Sequence, residues 1–346
     1  MENFDMQSAR LDEIKQFMQS IGEKSFRAEQ IFGWIHAKSA QSYDEMTNLP
    51  IDLRDRLLQI APMTSVECVH VQKSKDGATR KYLLKLHNNG IMDVYVETVL
   101  MTYRHGHSIC VSTQAGCRMG CDFCATGTSG LLRNLTAGEI AAQLYKASQM
   151  AGRRVSNIVL MGMGEPLDNY DNVVKFIHLV NHPKGVNLGQ RHISLSTSGL
   201  VDKIHALRAE NLQINLALSL HAPNDQIRRQ IMPIARKFSI EETLDACREY
   251  AANGRRVTFE YIMLHGMNDA KAHADELSRR LKGINCLINL IPTNDVAEKG
   301  YKKSKPQKVA EFKHILEAAG FTVTQRRELG SDISAACGQL RNENLV

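Results

Sequence analysis

The sequence predicts an α/β protein: a six-unit partial (βα) barrel preceded by a small helical and β accessory domain. Three observations carry this. From about His107 onward, six apolar, β-prone runs recur: SICVST, SNIVLMGMG, HISLSTSG, QINLALSLH, VTFEYIML and CLINLIP. Helical patterns separate most of them, and strands that alternate with helices build a parallel sheet with right-handed crossovers. The first hundred residues lack that rhythm. A closed barrel needs eight units in roughly 250 residues, so six legible units imply an open one, with a flat doubly wound sheet as the alternative. The expected division is an accessory domain at 1–100 and a barrel at 101–330.

In the accessory domain, LDEIKQFMQSIG places Leu11, Ile14, Phe17, Met18 and Ile21 on one helical stripe. SFRAEQIFGWIHAK repeats the spacing with Phe26, Ile31, Trp34 and Ile35, and YDEMTNLPIDLRDRLLQI reads as a third helical region interrupted at Pro50. From Ser65 to Leu100 the texture turns to strands. RKYLLKLHNN and GIMDVYVETVLM meet at the turn signal Asn88–Asn89–Gly90, which predicts a β-hairpin. Such an appendage suits substrate docking.

In the barrel, helices are expected at TAGEIAAQLYKASQM, NYDNVVKFIHLV, LVDKIHALRAE, IEETLDACREYAAN and AHADELSRRLK. Chemistry in these folds gathers at the C-terminal ends of the strands. There the sequence places Gly162, Gly164 and Glu165 after the second strand, Ser196 and Thr197 at the end of the third, and Ser219 and His221 at the end of the fourth. Glu260 lies in the fifth strand and Asn294 follows the sixth. Any one of these reads equally well as a cap or turn residue; with the cysteine loop after the first strand, six on one rim point to a site.

After the first strand comes GCRMGCDFCATG, with Cys117, Cys121 and Cys124 in a C-x3-C-x2-C pattern. A short loop can turn three thiolates to one concave face. Structural zinc and most iron–sulfur clusters take four protein ligands, so three cysteines on a cubane leave one iron open to another molecule. Zinc completed by Cys110, His105 or His107 is the competing reading, and disulfides or buried thiols are the third. Eight cysteines in a chain of 346 residues, with no secretory signal and no apolar run of transmembrane length, fit a reducing cytoplasm and exclude a disulfide scaffold. The formal charge of +6 and a pI near 8.8 suit a polyanionic partner. Basic residues cluster at Arg228 to Lys237, Arg279 to Lys282 and Lys302 to Lys308. Each cluster alone reads as a solvated face, and together they suit RNA.

CRMGCDFC behind a strand, with MGMGEP some forty residues on, resembles the radical S-adenosylmethionine superfamily. CATGTSGLLRNLTAGEI, SLHAPND, RRVTFEYIMLHGMND and RRELGSDISAACGQLR, with IFGWIHAKSAQSYDEMTNLP near the start, narrow the resemblance to the bacterial dual-specificity rRNA and tRNA adenine-2 methyltransferases. It runs over nearly the whole chain. The resemblance implies a barrel of the radical S-adenosylmethionine type and a 4Fe–4S cluster on Cys117, Cys121 and Cys124, whose open iron chelates S-adenosyl-L-methionine. It also implies ligand contacts from Gly164, Glu165, Ser196, Ser219, Leu220, His221 and Asn294. Glu165 would accept from the substrate's amino group, and Asn294 would read an adenine or ribose edge.

The same resemblance makes Cys337, in a tail at 331–346, the residue methylated by one S-adenosylmethionine. A second is cleaved to a radical that takes hydrogen from the methylthioether, and the resulting carbon radical attacks adenine. Carbon 2 of adenine is electron-poor and not acidic enough for simple displacement, which is why a radical route is needed. Cys110 would resolve the enzyme–RNA adduct through a disulfide with Cys337, and Glu97 matches the proton acceptor. The implied partners are 23S rRNA, tRNA and an electron donor such as flavodoxin or ferredoxin, with no membrane and a monomeric chain. The nearest competitor is the related antibiotic-resistance methyltransferase acting at carbon 8 of the same adenine. A non-enzymatic zinc-dependent RNA-binding protein and a radical enzyme with a peptide or small-molecule substrate are the others.

Overall fold

The computed structural model describes residues 4–88, 90–104, 106–128, 130–252, 254–292, 301–326, 330–335 and 340. Its N-terminal part holds α1 (Leu11–Ser20), α2 (Phe26–His36) and α3 (Ile51–Ile60). Ile14 and Met18, one turn apart on α1, are fully buried, and Leu11, Phe17 and Ile21 flank them half-buried, so the predicted stripe is the packing face. Pro50 caps the start of α3: its φ of −54° suits a helix start and it lacks the N–H that a helix interior would need.

Three antiparallel strands follow, β1 (Ser65–Lys73), β2 (Thr79–Asn88) and β3 (Ile91–Tyr103), and β3 pairs antiparallel with β4 (Gly106–Cys110), with Val99 opposite Cys110. The hairpin of the accessory region is thus continuous with the barrel sheet. After β4 a small ribbon, β5 (Gln114–Gly116) and β6 (Leu131–Asn134), brackets the cysteine loop.

The rest alternates: α4 (Ala137–Ala151), β7 (Asn157–Leu160), α5 (Tyr170–Asn181), β8 (Ile193–Thr197), α6 (Val201–Ala209), β9 (Asn215–Ser219), α7 (Asp225–Ile231), α8 (Ile240–Ala252), β10 (Val257–Met263), α9 (Lys271–Leu281), β11 (Cys286–Pro292), α10 (Pro306–Ala318) and β12 (Thr322–Gln325), of which α7, α10 and β12 go beyond the predicted elements. One ten-stranded sheet runs β1-β2-β3-β4-β7-β8-β9-β10-β11-β12. From β4 onward every neighbouring pair is parallel. All six predicted strands are present in an open sheet. The unit α10–β12 adds a seventh parallel strand, whose TVTQ sequence buries Val323 alone and so carries no apolar run to read.

Helix α4 shows how the sequence fixes an element. Thr136 accepts from the Glu139 N–H at 3.2 Å and Glu139 accepts from the Thr136 N–H at 2.9 Å, the reciprocal capping box. Gly152 closes the helix in the left-handed conformation. Gln143, buried in its middle, bonds both the N–H and C=O of Ser112 (2.9 and 2.8 Å) and the Thr98 hydroxyl (2.8 Å), which ties α4 to the sheet just before the cysteine loop. Among the described residues, no helix is long and apolar enough to cross a membrane.

Candidate active site

At the C-terminal ends of the parallel strands lies a cleft with about 900 Å³ of empty volume, counted out to its open mouth. Cys117, Cys121 and Cys124 line one side; Gly162, Gly164 and Glu165 come from the end of β7, Ser196 from β8, Ser219 and His221 from β9. Residues from four separate stretches of sequence therefore meet on one surface. That convergence follows from strand order, since β4, β7, β8 and β9 are neighbours.

The cysteine loop is held on both flanks. The Cys117 N–H donates to the Gly130 carbonyl at 2.8 Å, and the Asp122 N–H donates to the Ile231 carbonyl at 2.9 Å. Arg118 forms a two-pronged bond to Asp168, with Nε and Nη2 each 2.7 Å from a carboxylate oxygen, and Gln114 donates to the same carboxylate at 2.9 Å. Phe123 sets its ring edge-on to His221, centroids 4.8 Å apart, which joins the loop to the end of β9. Burial pushes the Cys117 thiol up to about 12, against a backbone hydrogen bond at Met119, and raises Cys121 well above the ordinary range with help from Cys124 and Cys117. Three crowded thiols in such a pocket ionise readily only with a cation to share the charge.

These residues fit the cluster: Cys117, Cys121 and Cys124 line one side of one cleft, and a cubane takes its thiolates at separate corners. His107 sits at the start of β4, while the cleft is at the other end of that strand. His105 lies outside the described residues.

The ligand wall is built by close approach. A Cβ on Gly162 would lie 2.6 Å from the Val111 carbonyl oxygen, and one on Gly164 would lie 2.8 Å from the Gln114 nitrogen. Gly164 also has a φ of +105°, a conformation that side chains resist. Glu165 is buried and its carboxylate is fixed: Oε2 accepts from the Ser198 N–H at 2.7 Å and Oε1 from the Leu167 N–H at 3.1 Å. Each oxygen keeps a lone pair for a ligand. Burial raises its pKa, opposed by hydrogen bonds from Ser198, Thr197 and Leu167. Ser196 and Ser219 hydroxyls face each other at 3.4 Å.

His221 holds a φ of +59°, rare for a residue with a side chain. The Ile262 N–H donates to its Nδ1 at 3.1 Å, and burial, helped by the charge of Arg228, lowers its pKa to about 3. It is therefore a neutral imidazole with the proton on Nε2, a donor in the cleft wall. Asn268 locks the turn by donating to the His221 and Ile262 carbonyls at 2.8 and 2.7 Å.

The other expected residues fall elsewhere. Leu220 does not line the cleft; its side chain is in the core and its N–H donates to the Glu260 carbonyl at 3.1 Å. Cys110 is buried at the end of β4, outside the cleft lining. Glu97, on β3, is paired with Lys81 at 2.8 Å, both nearly buried. Ser112 links these regions, donating to the Glu97 carbonyl at 2.7 Å and accepting from the Met163 N–H at 2.9 Å. Asn294 and Cys337 lie outside the described residues, and among the described ones no two cysteines are joined.

Two residues at the site, Arg326 and Arg228, were not legible in the sequence. Glu260 and Arg326 both line the cleft, but the role of Arg326 follows from β12, which has no sequence signal. Glu260, read only as a rim residue, is buried and accepts from the Asn289 amide at 2.8 Å. Arg228, placed by sequence in a basic cluster for RNA, has no exposed surface at all. A run of basic residues on a short amphipathic helix gives no sign of which one points inward.

Comparison with known proteins agrees with this geometry. The Radical SAM superfamily model matches residues 111–277, and the ribosomal RNA large subunit methyltransferase N-terminal domain model matches residues 4–63. A probable dual-specificity RNA methyltransferase RlmN from Lachnospira eligens is 49% identical over 340 residues, covering 98% of this chain and 96% of that protein. Its counterpart from Clostridium perfringens strain 13 is 50% identical over 332 residues, covering 96% and 94%. Among solved structures, a radical SAM methyltransferase from Sphaerobacter thermophilus superposes with a TM-score of 0.93 at 43% identity, covering 98% of this chain and 99% of that one.

Proposed function

The chain belongs to the RlmN-type radical SAM RNA methyltransferases, and from that premise we propose that it methylates carbon 2 of a specific adenine in 23S rRNA, and of adenine in a subset of tRNAs. The reaction uses two S-adenosylmethionine molecules and a methylated cysteine. The observation that supports it most is the meeting of Cys117, Cys121 and Cys124 with Gly164, Glu165, Ser196, Ser219 and His221 in one cleft. When bound there, the 4Fe–4S cluster and S-adenosylmethionine supply one-electron cleavage of a carbon–sulfur bond.

The chain's own residues do the rest. The three thiolates hold the cluster. The Glu165 carboxylate, fixed by two backbone N–H groups, accepts from the ligand's ammonium, and the Nε2–H of His221 donates across the pocket. Gly162 and Gly164 bring main chain to the ligand where a side chain would stand in the way. Cys337 carries the methyl group. Its neighbours support that role: Ser334 accepts from Lys81 Nζ at 3.3 Å, beside Glu97, and Leu340 accepts from the Thr126 hydroxyl at 2.5 Å, two residues past Cys124. The described residues on both sides of Cys337 are thus tethered, Leu340 beside the cysteine loop and Ser334 to the Lys81–Glu97 pair. Cys110 serves as the second thiol and Glu97 as the proton acceptor. Asn294, outside the described residues, would read the adenine or ribose edge of the ligand.

An unstacked adenine entering the barrel mouth is the general solution for chemistry on a base, and an electron donor such as flavodoxin or ferredoxin would reduce the cluster in the cytoplasm. Mass mapping of 23S rRNA from a strain lacking the gene and from its complemented derivative tests the reading. Complementation restores 2-methyladenine; appearance of 8-methyladenine instead assigns the chain to the carbon-8 reaction. Purified protein with stoichiometric zinc and no iron–sulfur absorption would overturn the radical reading altogether.

A further inference from the structure

Among the described residues, Arg228 is the largest side chain with no exposed surface. Its Nη2 donates to the Ser198 carbonyl at 2.6 Å and its Nε to the Leu220 carbonyl at 3.3 Å, while Nη1 has no partner. Neither bond goes to a carboxylate. Asp225, one turn earlier on α7, accepts from the Ile240 N–H at 2.9 Å. A buried guanidinium served only by neutral acceptors, with one nitrogen idle, is costly unless a negative charge stands near.

Its position says where that charge is. Ser198 and His221, on either side of the two carbonyls it grips, line the cleft. The helix that carries it ends at Ile231, whose carbonyl takes the N–H of Asp122, next to Cys121. Arg228 therefore stands behind the wall between ligand pocket and cysteine loop. Three thiolates outweigh the charge of an oxidised cubane core, so the loaded site is anionic, and one electron makes it more so.

We propose that Arg228 is a positioning residue whose buried guanidinium is the built-in counter-charge of the cysteine-bound cluster, favouring its uptake of an electron. This rests on the radical SAM reading of the cleft. It differs from a purely structural role, in which the guanidinium serves only to staple the ends of β8 and β9.

The test is a redox titration of reconstituted full-length protein, following the reduced cluster by electron paramagnetic resonance, for wild type, Arg228→Met, Arg228→Gln and Arg228→Lys. Loss of the charge should lower the ratio of reduced to oxidised cluster at a fixed potential by about tenfold or more, equivalent to about 59 mV for one electron. Arg228→Lys, which keeps the charge while losing the two-carbonyl grip, should stay within about threefold of wild type. Neutral variants that hold iron and titrate like wild type would overturn the proposal, as would a lysine variant that shifts as far as the neutral ones. If Arg228→Met does not fold, the glutamine and lysine variants give the same comparison. Wild-type protein that takes up no cluster would instead sink the functional reading itself.

Discussion

Lys81 Nζ lies 2.8 Å from Glu97 Oε1, and both side chains are less than a tenth exposed. The two are cross-strand neighbours of β2 and β3, and the same ammonium holds the Ser334 carbonyl. Removing one partner of a buried pair leaves a charge without its counter-ion, which costs about 3 kcal/mol. Lys81→Met should lower unfolding stability by about that amount in urea denaturation, and Lys81→Arg by clearly less. Equal losses would show that the charge is not what matters.

The cysteines separate by role. Cys337→Ala should abolish methyl transfer, by more than about a thousandfold, as an interaction made only in the reaction is lost, while S-adenosylmethionine is still cleaved by the reduced protein. Cys110→Ala should instead accumulate a covalent protein–RNA species on denaturing gels. If Cys110→Ala turns over normally with no adduct, it is not the second thiol.

Gly164 cannot take a side chain cheaply. Its φ of +105° and a Cβ position 2.6 Å from Gln114 Cβ predict that Gly164→Ala displaces the β7 end. Strain of this kind costs about 1–3 kcal/mol. Equilibrium dialysis should show S-adenosylmethionine affinity falling by about tenfold or more, whereas Gly254→Ala, far from contact with any neighbour, should leave it unchanged.

Acid should destabilise the protein through two buried histidines. Burial lowers His36 and His221 to about 3, from an ordinary value of 6.5. Below pH 6.5 the unfolded chain binds protons that the native state refuses. Their contribution is therefore full above that pH and is lost as pH falls toward 3, by up to about 1.4 kcal/mol per pH unit for each. His36→Gln and His221→Gln should each flatten the slope of unfolding free energy between about pH 4 and 6. An unchanged slope would mean that the imidazoles are charged in the native state.

Much of this was legible because local signals coincide with global ones. Apolar runs with Gly, Ser or His at their ends marked both the strands and the rim. Thr136 and Glu139 wrote the start of α4 three residues apart. What remained hidden depends on residues far apart in sequence: Lys81 and Glu97, Arg118 and Asp168, Thr126 and Leu340 meet only once the sheet is assembled. Arg228 was misplaced for a related reason, since a basic run read in one dimension has no inside. β12 is too short and too polar to announce itself, and the cleft residue Arg326 was lost with it.

Because β3 and β4 belong to one ladder, Val99 fixes where Glu97 stands relative to Cys110. Val99 is directly opposite Cys110, and Glu97 is two residues along on the same pleat, so the pair are diagonal neighbours about 7 Å apart. The ruler between these two groups is therefore a run of main-chain hydrogen bonds and not the docking of one body on another. A pull on the N-terminal strands cannot change that interval without breaking those hydrogen bonds.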